Sequence, residues 1–266
     1  MNVDGLAWLP GGHAVLSGPV LALAERVESR LAKLAAQWQA EELRVPPVVE
    51  TADLERLDWL RSFPHLATLA TTFDDPEAVA EGGARALAPP AAVLTPAACF
   101  HVYGHLRGQV VTRPRHLTVQ ATCFRREAEY RPLERQWTFT MREVVAVGAG
   151  TDVAAFLAEA RTAAEGLAAD LGLDVAWAAA TDPFFRPPSN PRYLMQLADP
   201  TKHELRLADG LAIASVNLHH DHFGRAFAVS LAGGAPATTG CLAFGLERWL
   251  AAVIRHHGLD PDGWPQ

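Results

Sequence analysis

Cysteine is scarce in this chain. Cys99, Cys123 and Cys241 are spread over 266 residues, too few and too far apart for a disulfide framework, which leaves them as core residues, ligands or nucleophiles. Long apolar runs are missing as well. No stretch approaches the ~18 consecutive apolar residues of a membrane span, and Met1 to Gly12 has no cationic segment followed by an apolar one; the expectation is a cytoplasmic protein. A basic surplus is also lacking: 23 Lys+Arg stand against 30 Asp+Glu, a formal net charge of -7. Long nucleic acids are held by cationic surfaces that release counterions, so this balance argues against tRNA or DNA as the main partner. There is no internal repeat and no low-complexity tract beyond a general richness in alanine. What is present, 49% hydrophobic and 20% charged residues, is ordinary globular composition that excludes disordered and fibrous classes.

Val20, Leu21, Leu23, Ala24, Val27, Leu31 and Leu34 recur at three- and four-residue steps, which predicts an amphipathic helix over Gly18 to Gln39. In Leu43 to Val49 the prolines bias their predecessors to extended backbone. A second helix is expected from Ala52 to Leu60, and a surface excursion over Asp74 to Pro90. Strand-like segments follow at Ala92–Leu94, Leu117–Phe124, Trp137–Val147, Leu211–Leu218, Ala226–Leu231 and Cys241–Phe244. Helices are expected over Thr151–Leu171 and Leu246–His257, closed by Gly172 and Gly258. Strands arriving without regular alternation with helices predict a mostly antiparallel sheet flanked by helices, α+β rather than doubly wound.

Two segments carry chemistry. Cys123-Phe124-Arg125-Arg126-Glu127 and Arg135-Gln136-Trp137-Thr138-Phe139-Thr140-Met141-Arg142-Glu143 read as two strands joined by a polar loop. Alternation puts Arg125 and Glu127 on one surface with Phe139, Met141 and Glu143. An arginine, an aromatic plate and acids suit a nucleotide triphosphate bound without a glycine-rich loop; the same composition fits a solvated strand face with charge pairs. Near the C-terminus, Gly240-Cys241-Leu242-Ala243-Phe244-Gly245-Leu246-Glu247-Arg248 reads as a strand turning into a helix.

Together these segments resemble motifs 2 and 3 of the class II aminoacyl-tRNA synthetases, whose signatures phenylalanine-arginine-any-glutamate and glycine-leucine-glutamate-arginine stand at Phe124 to Glu127 and Gly245 to Arg248. Gly18 to Pro47 is similar to motif 1, so the resemblance spans nearly all of residues 1–266 as one catalytic domain. Within class II it is seryl-like. The steps Arg135, Phe139, Glu143 match the second motif 2 strand, and Ser215-Val216-Asn217 with Asp221 and Phe223 resembles the serine-pocket strand. The tRNA-gripping coiled coil of seryl-tRNA synthetases is not expected here, because motif 1 is reached almost at once. Ser62 to Leu66, Leu94 to Cys99, Asp182 to Phe185, His220 to Gly224 and His256 to Asp260 look like the amino acid:[carrier protein] ligases, truncated relatives that load an amino acid onto a carrier protein's phosphopantetheine thiol.

By residue type alone, two isolated cysteines and a strand glutamate are packing and a salt bridge more often than ligands. The resemblance implies instead that Cys99, Glu143 and Cys241 ligate Zn²⁺, with an open position for the substrate's amino group. It assigns Arg125 to the α-phosphate of ATP, Glu127 to the adenine amino group, Phe139 to stacking on adenine and Arg248 to the γ-phosphate. Lys202 and Glu204 would reach the triphosphate directly and through Mg²⁺, Arg135 and Gln136 would complete the nucleotide contacts, and Ala212, Ile213, Ala214, Ser215, Val216 and Asn217 would floor the amino-acid pocket. Cys123 is read as packing, and His219, His220 and His222 fall outside the ligand set. Motif 1 implies a homodimer, which would also cover the apolar face from Val20 to Leu34. Arg107, Arg113, Arg115 and His116, or Arg186 with Arg192, are candidate docking patches for an acidic carrier. The rival readings are transfer to an amine or tRNA, and a non-catalytic paralogue with a binding role.

Overall fold

The computed structural model describes residues 3–83 and 85–265; Ala84, inside the expected surface excursion, lies outside them. A seven-stranded sheet forms the centre: β1 (Glu41–Arg44), β2 (Arg115–Phe124), β3 (Thr138–Gly148), β4 (Val175–Ala180), β5 (Lys202–Leu207), β6 (Ala212–His220) and β7 (Thr238–Gly245). Its order is β4-β5-β6-β7-β3-β2-β1, antiparallel except for the parallel β1–β2 pair. The helices that matter below are α1 (Gly18–Ala36), α2 (Cys99–His105), α3 (Gly150–Asp170), α4 (Pro191–Ala198), α5 (His222–Ala226) and α6 (Leu246–His257).

Strand alternation splits the core into two layers. On β7, Leu242 and Phe244 join the cluster under α1, α3 and α6, while Cys241 and Ala243 join the opposite one. Val144 and Ala146 of β3 go with the first, Val145 and Val147 with the second. A strand covered on both faces has no solvated side, which is why Val144 to Val147 reads as an unbroken apolar run. On α6, Leu246, Trp249, Leu250, Val253 and Ile254 follow helical spacing into the first layer, and the Trp249 indole donates to the Ile213 carbonyl at 2.9 Å. The apolar face of α1 packs into the same layer. Covered within the chain, it does not require a second copy.

Other expectations need correction. The segment Ala226–Leu231 is not one strand: α5 ends at Ala226, and only Ser230–Leu231 pair, in parallel, with Val110–Val111. Phe223 and Phe227, four residues apart, are both buried, so they serve a helical face rather than a pleat. The helix expected from Ala52 to Leu60 breaks at Asp58, φ 58°, into Thr51–Arg56 and Trp59–Ser62. β2 stops at Phe124, so Arg125 and Glu127 lie in the following loop, although the Arg125 amide still donates to the Trp137 carbonyl at 2.9 Å. No helix among the described residues is long and apolar enough to cross a membrane.

Candidate active site

Register assembles one end of the site. Glu143 of β3 lies opposite Ala243 of β7, two residues from Cys241, and Cys241 lies opposite Asn217 of β6; alternation puts all of them on the face away from the long helices. The helix α2 opens on this face with Cys99, whose amide donates to Glu143 Oε1 at 3.2 Å. One ligand atom each from Cys99, Glu143 and Cys241 lies within 4.8 Å of the others, and all three residues are buried. Glu143 is only 1% exposed, and no cationic side chain among the described residues pairs with it. A buried carboxylate beside two thiols is unfavourable alone and suited to a divalent ion between them. The hydrogen bond with Cys241, burial and Glu143 raise the Cys99 thiol well above its ordinary range. At Cys241 the bond with Cys99 pulls downward, but burial and Glu143 leave its thiol raised too. The residues fit zinc: thiolate and carboxylate donors in a closed, partly apolar setting.

Cationic and aromatic groups line the other end. Arg125 donates from Nε to the Pro96 carbonyl at 2.9 Å and lies over the Phe139 ring, 5.2 Å from its centroid. Arg248 donates to the Glu134 carbonyl at 2.8 Å and the Ala212 carbonyl at 3.0 Å. Burial, then the charge of Arg125, lowers its pKa. Arg135 and Glu127 pair at 3.4 Å across the loop. Gln136 is buried with its Oε1 unpartnered among the described residues.

Lys202 pairs with Asp182 at 2.9 Å. Burial pushes the lysine down, yet the Asp182 carboxylate leaves its pKa raised on balance. Gln196 of α4 braces this pair, donating to Asp182 Oδ2 and Thr201 Oγ1 and accepting from the Asp182 amide. Glu204 is held by Arg206 at 2.7 Å.

The two ends belong to one cavity of about 520 Å³. Every site residue singled out from the sequence lines it except Val216, which alternation turns into the layer beneath the long helices. Cys123 packs in the opposite layer, as expected. Among the basic docking candidates, Arg107 pairs with Asp53, Arg115 with Glu41 and Arg192 with Asp58. Sequence reasoning gave no role to Asp182 or Glu247, both of which line the cavity. It also set aside His219, although two-residue alternation from Asn217 along β6 puts it on the same face.

No protein-family model matches the chain. It is 36% identical over 264 residues to amino acid–[acyl-carrier-protein] ligase 1 of Bradyrhizobium diazoefficiens, covering 92% of this chain and 81% of that protein. Ligase 2 of the same organism is 35% identical, covering 92% and 79%. Among solved structures, the M. kandleri SerRS bound to A. aeolicus tRNASec superposes with a TM-score of 0.83 at 22% identity, over 98% of this chain and 56% of that one; the likeness is one of fold, the class II aminoacyl-tRNA synthetase core. More than a third of positions identical to ligase 1 over nearly the full chain, on that core, makes this chain a member of the amino acid–[acyl-carrier-protein] ligase family.

Proposed function

We propose that this protein activates a small amino acid, glycine or alanine by resemblance, as its adenylate and transfers it to the phosphopantetheine thiol of a carrier protein. The observation that carries this reading is the single cavity with Arg125, Phe139 and Arg248 at one end and Cys99, Glu143 and Cys241 at the other. In the first step a carboxylate oxygen of the amino acid bonds to the α-phosphorus while the bond to the bridging oxygen breaks and pyrophosphate leaves. Negative charge grows on the non-bridging oxygens, and the planar Arg125 guanidinium is suited to hold it. Phe139 would stack on adenine, Glu127 accept from its amino group, and Arg248 hold the γ-phosphate.

Lys202, exchanging Asp182 for phosphate, and Glu204, through Mg²⁺, would complete the triphosphate contacts, with Arg135 and Gln136 beside them. Cys99, Glu143 and Cys241 would hold zinc, which when bound supplies a seat for a neutral α-amino group and fixes the carboxylate for attack. Ser215 and Asn217 border that seat. In the second step the carrier's thiol sulfur bonds to the acyl carbon, AMP leaves, and the thiol proton passes to solvent. The mixed anhydride is reactive enough that a modest thiolate fraction suffices.

The test is pyrophosphate exchange across an amino-acid panel, on protein of known zinc content. Exchange with one small amino acid is expected, falling by roughly 10²-fold or more in Arg125→Ala and lost in Cys99→Ala; in a separate assay the labelled amino acid is expected to pass to a holo-carrier. Transfer to an amine or tRNA instead would change the acceptor and keep the adenylation. Absence of exchange from zinc-loaded protein would leave a non-catalytic binding role.

A further inference from the structure

Cys241 is supported by groups outside the candidate ligand set. Asn217 Nδ2 donates to its sulfur at 3.3 Å, and His219 Nε2 lies 3.8 Å from the same atom. His219 is the extra residue of a β-bulge: pairing runs Leu218 to Gly240 and then His220 to Thr239, and His220 takes φ 49°, a left-handed conformation that favours glycine. Bulges beside functional sites re-aim side chains, and this one accompanies a His219 ring that faces the cavity and the Cys241 sulfur. The other ring nitrogen, Nδ1, is 3.1 Å from Tyr103 Oη and 3.2 Å from Thr239 Oγ1.

Tyr103 stands four residues after Cys99 on α2, hence on the same helix face. A hydrogen-bonded path therefore runs from the helix that bears one thiol, through Tyr103 and His219, to the other thiol. With a hydroxyl donating to Nδ1, the neutral ring carries its proton on Nε2, aimed at the sulfur. The sulfur of Cys99 has no comparable side-chain N–H donor among the described residues.

We propose that His219, oriented by Tyr103 and Thr239, is a positioning residue that donates from Nε2 to the Cys241 thiolate and so sets the charge and direction of that ligand when a metal is bound. The proposal rests on the reading of Cys99, Glu143 and Cys241 as a zinc site. Groups of this kind, hydrogen-bonded to a ligand rather than to the metal, alter affinity by about 10–100-fold.

The test uses the full chain stripped of metal, as wild type, His219→Phe, His219→Gln and Tyr103→Phe. Each is titrated with zinc against a chromophoric chelator, and with cobalt(II) followed by its thiolate-to-metal absorption. His219→Phe keeps an aromatic ring and loses the N–H; it is expected to bind zinc about 10–100-fold more weakly and to shift the cobalt band. His219→Gln, which restores a donor, is expected to recover most of both, and Tyr103→Phe to lose less in the same direction. Thermal melts of the stripped proteins separate lost folding from lost ligation. Should His219→Phe fail to fold, Tyr103→Phe carries the test: weaker zinc binding and a shifted cobalt band support the proposal, and wild-type affinity and spectrum overturn it.

Wild-type affinity and spectrum in His219→Phe, or no recovery in His219→Gln relative to it, would overturn the proposal. A wild type that takes up neither metal would be recognised before any variant is made, and would overturn the zinc reading and this proposal with it.

Discussion

Glu247 lines the Arg125–Arg248 end of the cavity with its carboxylate nine-tenths hidden, both oxygens accepting from the Thr140 amide at 2.9 Å. Burial raises its pKa from 4.5 to about 7 against the pull of that amide. The folded state thus holds a proton that the unfolded chain releases near pH 4.5, so stability from this group is full below that value and is lost as pH rises through about 7. Glu247→Gln, which still accepts the Thr140 bond, is expected to remove that slope. Denaturant melts from pH 4.5 to 8 should show wild type losing on the order of 3 kcal/mol relative to the variant; parallel curves would mean that Glu247 ionises normally. Arg142 is a buried cation with the opposite problem. It is 3% exposed and bonded to Glu28 at 2.6 Å, Thr118 Oγ1 at 3.0 Å and Glu42 at 3.1 Å. Arg142→Ala leaves Glu28 without its countercharge, and a loss of about 3–5 kcal/mol is expected in equilibrium unfolding.

Among the elements, β7 is closely packed at Gly240. A Cβ on Gly240 would lie 2.9 Å from Val153 Cγ1 of α3 and 3.0 Å from the Asn217 carbonyl of β6, so this glycine lets the strand sit close to both neighbours just before Cys241. Gly240→Ala is expected to cost about 1–3 kcal/mol and to weaken zinc binding together with stability; an unchanged melting temperature would show that α3 yields freely. The sequence made β7 and α6 legible because their signals are local: a short apolar run from Cys241 to Phe244 bounded by glycines, then helical spacing from Leu246. The same holds for the continuous run in β3. The two strands beyond β6 were not legible. Lys202–Leu207 is charged at alternate positions and Val175–Ala180 is mostly alanine; β6 supplies a template for pairing to the first, and the first in turn to the second, so neither is a strand by intrinsic preference. Ala226–Leu231 was misread for the converse reason, its one aromatic, Phe227, serving the end of a short helix. Within the site, the resemblance to the class II motifs, and not residue types alone, singled out residues that line both ends of the cavity. Alternation along β6 already turns Val216 away from the site, whereas the bulge at His219 and the Asp182–Lys202 pair depend on register and long-range contacts that local spacing does not encode.

At the scale of the whole molecule, a net charge of -7 leaves little general attraction for a polyanion, so carrier recognition has to come from local groups. The homodimer implied by motif 1 likewise cannot rest on the apolar face of α1, which the chain covers itself; sedimentation equilibrium is expected to return twice the chain mass, and a monomer would remove the second copy from the functional reading. The three candidate ligands come from β3, β7 and the start of α2, so one bound ion would tie the central strands to the layer above them. An ion that binds only the folded state stabilises it by mass action, about 4 kcal/mol when free zinc is a thousandfold above Kd. In a chain of this length that corresponds to a fall in Tm of roughly 10 °C on chelation. Cys99→Ala and Cys241→Ala should melt at the chelated temperature with or without zinc. Cys123→Ala should keep the full response to the chelator, because Cys123 packs in the core outside the triad. A wild type of known zinc content whose melting is indifferent to chelation would mean that the ion, wherever it binds, does not join these layers.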